Sequence, residues 1–595
     1  MSTTATRLGA LRGLMAERGY DAFLVPRTDE SLGEYIPAHN ERLRWLTGFT
    51  GSAGVAVVLA DAAAIFVDGR YTVQVRQQVD AGQFEVRHLV DEPHIRWLAG
   101  QLPDGATVAC DPRLHSLQWY RASAALLEAA GMRLVEDADN LVDRAWEDRP
   151  SPEIGTALLL AEQYSGESSA GKRARIAADV SAAGARAALV FAPDAVSWLL
   201  NVRGTDVPNL PVLQGFALLW AGGDMTLYAD ARRLPEGFAA HVGEGVRVVG
   251  EESFIAHAAD LAGCKVLADP AQANAWTQLA LQAAGAELVA GSDPVLIPKA
   301  CKNAREVAGA RRAHLRDAVA MARFLAWLDA EVEAGRLHDE AELADQLYAY
   351  RAAGEHFHGS SFDTISAAAG NAAMCHYNHE NAAQPGRLVM NTVYLVDSGA
   401  QYIDGTTDIT RTVAIGDPGP EVRRLFTLVL KGHIALDRAR FPRGTTGTHL
   451  DAIARQFLWR AGFDYDHGTG HGVGAFLSVH EGPQRISKSW SDTALRPGMI
   501  LSNEPGYYRD GAFGIRCENL VVVQEVEDGL ETPMLCFDAL TLAPFDRRLL
   551  WPELLDARER EWLDSYHQRV MDTVGPLLDE PERRWLARVT RPIGD

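Results

Sequence analysis

The chain has 595 residues, too many for a single hydrophobic core, so its length predicts two to four domains. Apolar residues make up 47% and charged residues 23%, ordinary values for a folded chain in water, and the formal net charge is −22. That acidity, without any run of five or more Lys/Arg, excludes nucleic acid and anionic membranes as expected partners.

Six cysteines are scattered with no C-x-x-C pair, which argues against a disulfide framework or a zinc knuckle and points to a reducing compartment. No apolar stretch reaches the roughly 18 residues needed to span a bilayer, and the amphipathic start has no continuous apolar h-region. A cytoplasmic location is the expectation.

In chain order, the first elements read as a diverged internal repeat. Leu8, Leu11 and Leu14 form a helical stripe that Gly19 stops, and Ala22–Pro26 follows as a buried strand. Trp45-Leu46-Thr47-Gly48 comes next, then the strand Ile65-Phe66-Val67 and the turn Asp68-Gly69-Arg70. A second copy begins near Lys172. Its helix stops at Gly184, its strand is Ala188-Leu189-Val190-Phe191, and Trp198-Leu199-Leu200-Asn201 and Asp230-Ala231-Arg232 follow. Gly19 and Gly184 lie 165 residues apart but Trp45 and Trp198 only 153, so the first copy carries extra residues around Ser31 to Glu41. Order, helix stop and terminal turn all recur, which predicts two similar α/β domains in tandem. Arg149-Pro150-Ser151-Pro152 marks a boundary, and a second lies near Lys302. From there to Gly335 a long helix presents Leu315, Val319, Ala322, Leu325, Leu328 and Val332 on one core-facing stripe. The expected domains are 1–158, 159–305 and 306–595. The last stretch, from Trp551, reads as helices without identifiable chemistry. Ser169-Ala170-Gly171-Lys172 matches S-x-x-K but reads as chance at a helix start.

The chemistry concentrates after residue 355. Val393-Tyr394-Leu395-Val396 is a strand that ends in Asp397, and Asp408 opens a second, Ile409-Thr410-Arg411-Thr412-Val413. Gly399, Asp404 and Gly405 between them are turn formers, so a hairpin-like return would bring the two carboxylates face to face. Like charges that close need a cation between them; two solvated turn aspartates are the alternative. His467-Gly468-Thr469-Gly470-His471-Gly472 lets backbone approach a ligand and lacks the Lys-Ser/Thr ending of a phosphate loop. His480 follows nine residues after His471. Glu504 ends an apolar stretch before Pro505-Gly506, and Glu518 interrupts an apolar strand pattern, where a salt bridge to Arg516 or another base is the alternative reading. Together Asp397, Asp408, His471, Glu504 and Glu518 have the composition of a two-metal hydrolase site. Four carboxylates and one imidazole favour manganese or magnesium.

Here a resemblance becomes specific. Asp397…Asp408-Ile409-Thr410-Arg411, Gly468-Thr469-Gly470-His471-Gly472, Asn503-Glu504-Pro505-Gly506-Tyr507-Tyr508 and Gly514-Ile515-Arg516-Cys517-Glu518-Asn519 resemble the pita-bread metallopeptidases. Within that family the chain resembles the aminopeptidase P branch in its long, three-domain cytosolic form, and Trp45-Leu46-Thr47-Gly48-Phe49-Thr50-Gly51-Ser52-Ala53-Gly54 resembles it too.

The resemblance implies an α/β (α+β) fold: two tandem creatinase-N-like domains, then a pita-bread catalytic domain with a curved antiparallel sheet flanked by helices. It implies a metal-dependent aminopeptidase that removes the first residue of peptides with proline second, using two divalent ions, most plausibly Mn2+, and a hydroxide held between them. Asp397 would chelate one metal, Asp408 and Glu518 would bridge both, and His471 and Glu504 would complete the second. Glu504 would also shuttle the proton, and His480 would hydrogen-bond the scissile carbonyl. His376, in His376-Tyr377-Asn378-His379-Glu380, matches a substrate-side histidine, with His379 the competing choice; His467, Tyr508 and Arg516 would line the site. A homodimer is implied as well. The alternatives are an Xaa-Pro dipeptidase, which the N-terminal repeat argues against, a methionine aminopeptidase, which would be little more than the catalytic domain, and a non-catalytic peptide-binding protein on the same fold.

Overall fold

A computed structural model describes residues 3–382, 384–527, 529 and 531–594. By its contacts the chain divides into two compact units, one of residues 1–160 and 167–296, the other of 161–166 and 297–595.

The first unit contains two six-stranded sheets. One is built from β1 (Ala22–Pro26), β2 (Val55–Leu59), β3 (Ala63–Val67), β4 (Glu85–His88), β5 (Thr107–Cys110) and β6 (Arg133–Glu136), in the order β4-β3-β2-β1-β5-β6. The other uses β7 (Ala187–Val190), β8 (Phe216–Trp220), β9 (Met225–Tyr228), β10 (Val246–Val249), β11 (Lys265–Ala268) and β12 (Glu287–Ala290), in the order β10-β9-β8-β7-β11-β12. The two orders are the same. In each sheet the first strand runs antiparallel to its hairpin neighbour and parallel to the fifth. The repeat expected from sequence is therefore a repeat of topology.

Local chemistry repeats too. Gly19 and Gly184, the two predicted helix stops, both take φ of +69°, the left-handed conformation that costs glycine nothing. Asp68 takes a bidentate pair from Arg70, and Asp230 takes the same pair from Arg232 two residues on. Lys172 is buried, with Nζ donating to the Trp198 carbonyl at 2.9 Å and to Asn201 at 2.7 Å. Its S-x-x-K match is accounted for by that packing.

The second unit opens on the long predicted helix, which spans Ala304–Glu333. Asn303 caps it in a full capping box with Glu306, a device worth about 1 kcal/mol. All of its assigned strand pairings are antiparallel. β13 (Ile365–Ala368), β14 (Thr392–Ser398) and β15 (Ile409–Ile415) form a three-stranded sheet with β14 in the middle. β16 (Arg440–Pro442), β17 (Gly470–Gly472), β18 (Glu481–Ile486), β19 (Ile500–Asn503), β20 (Asn519–Glu525) and β21 (Met534–Ala539) form a six-stranded sheet in the order β16-β21-β20-β19-β17-β18. The curved antiparallel sheet that the resemblance implies is made of these ladders together with a three-stranded one (Phe357–Ser360, Ala400–Tyr402, Gly405–Thr406) and a two-stranded one (Gly506–Arg509, Phe513–Arg516). Helices Gly419–Asp437 and Ala557–Val574 pack into the core with Phe513, Ile515 and Cys517 from the strand leading to Glu518. The segment after Trp551 is helical, as expected.

Candidate metal centre

Five strands bring the candidate ligands together. β14 pairs with β15 over its whole length, with Ser398 opposite Ile409, so Asp397 and Asp408 stand at the same end of neighbouring strands. The hairpin-like return is present, but the excursion between them is more than a turn. Residues 400–402 and 405–406 add short strands of their own, and Asp404 is buried against Arg312 and Arg316. His471 sits in β17, Glu504 follows β19, and Glu518 occupies the step between the strand Phe513–Arg516 and β20.

One ligand atom each from Asp408, His471 and Glu518 can be chosen so that all lie within 4.8 Å of one another. His471 Nε2 is 3.4 Å from Asp408 Oδ2 and 3.6 Å from Glu504 Oε1. His471 Nδ1 lies 2.9 Å from the Gly472 carbonyl, so the Nδ1–H donates there and fixes the tautomer that turns Nε2 to the cluster. Thr410 donates its hydroxyl to Glu518 Oε2 at 2.6 Å. Ser502 accepts the His471 N–H at 2.9 Å and donates to Glu504 Oε1 at 3.2 Å.

Arg516 does not take Glu518. Its Nη2 donates to Asp397 Oδ2 at 2.5 Å, its Nη1 to the Tyr508 hydroxyl at 2.5 Å, and its Nε to Thr410 Oγ1 at 3.1 Å. The Tyr508 hydroxyl is 2.8 Å from His467 Nε2, and His467 Nδ1 is 2.7 Å from the Gly468 carbonyl. His467, Tyr508 and Arg516 therefore form one connected wall beside Asp397. His480 stands with its ring 4.4 Å from that of His471, edge to face. His376 is half-buried and follows Cys375, whose carbonyl lies 3.4 Å from Arg516 Nη2. His379 is buried in the short helical turn His379–Asn381.

The electrostatics are those of crowded negative charge. Burial, with the neighbouring carboxylates Asp408, Asp397 and Glu504, drives the Glu518 pKa well above the usual carboxyl range. Burial also raises Asp397 to about 6, against the opposing pull of Arg516. Burial lifts Glu504 too. Burial alone would lower His471, but the hydrogen bond to Asp408 and the Glu504 charge override it and hold it at about 9.

A pair of divalent ions fits this donor set. Oδ1 of Asp397 and Oδ1 of Asp408 are buried acceptors with no hydrogen-bond partner among the described residues. Buried oxygens in that state are costly unless something positive meets them. Four hard carboxylates and one imidazole suit manganese, magnesium or zinc rather than a soft-ligand metal.

Sequence reasoning named the ring of candidates but missed the groups that aim them. Thr410 and Ser502 carry no motif of their own. Arg455 and Asp451, at helical i,i+4 spacing, look like a surface pair, yet Arg455 is fully buried and donates to Asp451, the Tyr465 carbonyl and the His467 carbonyl. Thr469 closes that network by donating to Asp451 at 2.6 Å while its carbonyl receives the Glu504 N–H at 2.9 Å.

Comparison with known proteins gives a consistent pattern. Residues 308–525 match the model of metallopeptidase family M24, and 533–593 match the C-terminal region of peptidase M24. Residues 7–145 and 148–306 each match the creatinase/prolidase N-terminal domain. A probable Xaa-Pro aminopeptidase P from Tuber melanosporum is 38% identical over 619 residues, covering 99% of each chain. One from Paracoccidioides brasiliensis is also 38% identical, with the same coverage. Among solved structures, X-prolyl aminopeptidase from Caenorhabditis elegans, described as a cytosolic enzyme with a di-nuclear active site, superimposes with a TM-score of 0.95 at 33% identity and covers 100% of both chains. An Xaa-Pro dipeptidase from Bacillus anthracis shares the fold at a TM-score of 0.51 and 23% identity, and covers only 63% of this chain.

Proposed function

The chain belongs to metallopeptidase family M24, and from that premise we propose that it removes the N-terminal residue from peptides whose second residue is proline. It is an Xaa-Pro aminopeptidase, a hydrolase with a dinuclear metal site. The observation that supports this most is the convergence of Asp408, His471 and Glu518 donor atoms, with Asp397 and Glu504 in the same electrostatic cluster. Similarity over the whole length, both N-terminal domains included, favours the aminopeptidase over the dipeptidase. We propose divisions after residues 158 and 305 for these domains; the segment just before the second, from 297, packs within the second unit.

Asp397, Asp408, His471, Glu504 and Glu518 would hold two divalent ions, Mn2+ by preference. Bound there, such ions supply Lewis-acid polarisation of the scissile carbonyl and an acidified attacking water. The chain's own groups do the rest. Arg516 keeps Asp397 ionised by a direct hydrogen bond. Thr410 and Ser502 fix the planes of Glu518 and Glu504. Glu504 carries the proton from the attacking water to the departing proline nitrogen. His480, beside His471, donates to the carbonyl oxygen as its negative charge grows, and His376 would serve on the substrate side. A proline nitrogen offers no N–H, so the site needs no acceptor there, and the His467–Tyr508 rings present a surface for the pyrrolidine.

The test is metal dependence. Exhaustive chelation is expected to abolish hydrolysis of Arg-Pro-Pro, and Mn2+ to restore it better than Mg2+ or Zn2+. Full activity in a preparation shown by elemental analysis to be metal-free would contradict the reading.

Among the described residues no helix is long and apolar enough to cross a membrane. The relative described as cytosolic supports a cytoplasmic location for this chain. We also propose a homodimer; light scattering at micromolar concentration should return twice the 64.7 kDa chain mass, and a mass of one chain would rule it out.

A further inference from the structure

Glu481, the residue after His480, is held by two buried lysines. Lys299 Nζ lies 2.9 Å from its Oε1, and Lys302 Nζ pairs with its Oε2. The three side chains are each no more than 1% exposed. Both lysines are fixed by their backbones. Lys299 sits on the short helix Leu296–Ala300, and Lys302 donates its N–H to the Gly498 carbonyl and directly precedes the Asn303 cap of the long helix. Two ammonium groups on one carboxylate leave the trio with a net positive charge. A buried trio of this kind is weak support for stability, since taking three charges out of water offsets much of their mutual attraction. Its geometry does something else: one ammonium beside each oxygen favours a single orientation of the carboxylate.

Glu481 is joined to both imidazoles of the site. It follows His480 directly in the chain, and in the sheet it stands opposite Gly472, whose carbonyl accepts the His471 Nδ1–H. The contact is close: a Cβ at Gly472 would come within 2.3 Å of the Glu481 carbonyl, so the two backbones pack directly on each other there. We propose that the Lys299–Glu481–Lys302 clamp is a positioning device for the aminopeptidase reaction, setting the 4.4 Å edge-to-face arrangement of His471 and His480. This rests on the aminopeptidase reading above.

The test uses three forms of the full chain loaded with Mn2+. Lys299→Met and Lys302→Met each leave a neutral lysine–glutamate pair and so should fold. The triple replacement of Lys299, Lys302 and Glu481 by methionine removes the trio without leaving a buried unpaired charge. Each form is expected to keep the metal stoichiometry and the melting temperature of the unaltered protein within a few degrees. KM for Arg-Pro-Pro should stay within about three-fold, while kcat falls about 10- to 100-fold, the scale of a misplacement near 1 Å. Unchanged kcat in either single variant, or a kcat loss that merely follows metal loss, would overturn the clamp; should the triple form fail to fold, the single variants decide. Inactive unaltered protein would instead remove the aminopeptidase reading itself.

Discussion

Replacing Asp408 or Glu518 by alanine is expected to strip metal from the protein and to cut kcat/KM for Arg-Pro-Pro by at least about a thousand-fold, since several kcal/mol of transition-state charge stabilisation leave with the ions. Both residues contribute to the tightest part of the cluster, with His471. The same change should have an opposite signature in stability. The Glu518 carboxyl is pushed up by burial and by Asp408, Asp397 and Glu504. Removing one member relieves that repulsion. In EDTA the Glu518 variant should therefore melt no lower than the unaltered protein, whereas the Asp408 variant also loses the His471–Asp408 pair. In Mn2+ only the unaltered protein should gain stability, because only it binds the ions in the folded state. Elemental analysis and paired melting curves check both halves. An alanine variant that still holds two metals would show that the ligand assignment is wrong.

His480→Ala is expected to behave differently. Its ring packs against His471, and the assignment gives it no metal to hold. Metal content should be unchanged while kcat falls about 10²- to 10³-fold, roughly 2.7–4 kcal/mol, the cost of losing one donor to a developing oxyanion. KM should move little, because the donor matters most as charge grows on the carbonyl oxygen. Loss of metal in this variant would mean that a ligand has been mistaken for a donor.

The sequence discloses the architecture well where a pattern is local. Two helix stops at glycine, two Asp-x-Arg turns and two Trp-Leu segments predicted tandem domains, and the sheets repeat in strand order. The strand-end acids were legible for a similar reason. An apolar run that stops on Asp397, or an acid just before Pro505, has few structural explanations. What stayed hidden depends on approach between distant segments. Arg516 could have served Glu518, two residues away, yet its backbone is held by the Thr412 hydroxyl on β15 and its guanidinium reaches Asp397 on the adjacent β14, 119 residues away. Thr410 and Ser502 are hydroxyls like many others until the fold aims them. Lys302 marked only a domain boundary in the sequence and Lys299 carried no signal there; their burial against Glu481 is a tertiary fact. Asp404 looked like a turn residue because its neighbours are glycine-rich, and the arginines that bury it lie on the long helix.

The most direct test of the central claim is a substrate series on one Mn2+-loaded preparation, with kcat/KM measured for Arg-Pro-Pro, Arg-Ala-Pro and the dipeptide Gly-Pro, and the released residue identified. Arginine should be released fast from Arg-Pro-Pro, with little cleavage of Arg-Ala-Pro and slow cleavage of Gly-Pro. Equal rates on Arg-Ala-Pro and Arg-Pro-Pro would contradict the proline requirement, and a preference for Gly-Pro over both longer peptides would make the enzyme a dipeptidase.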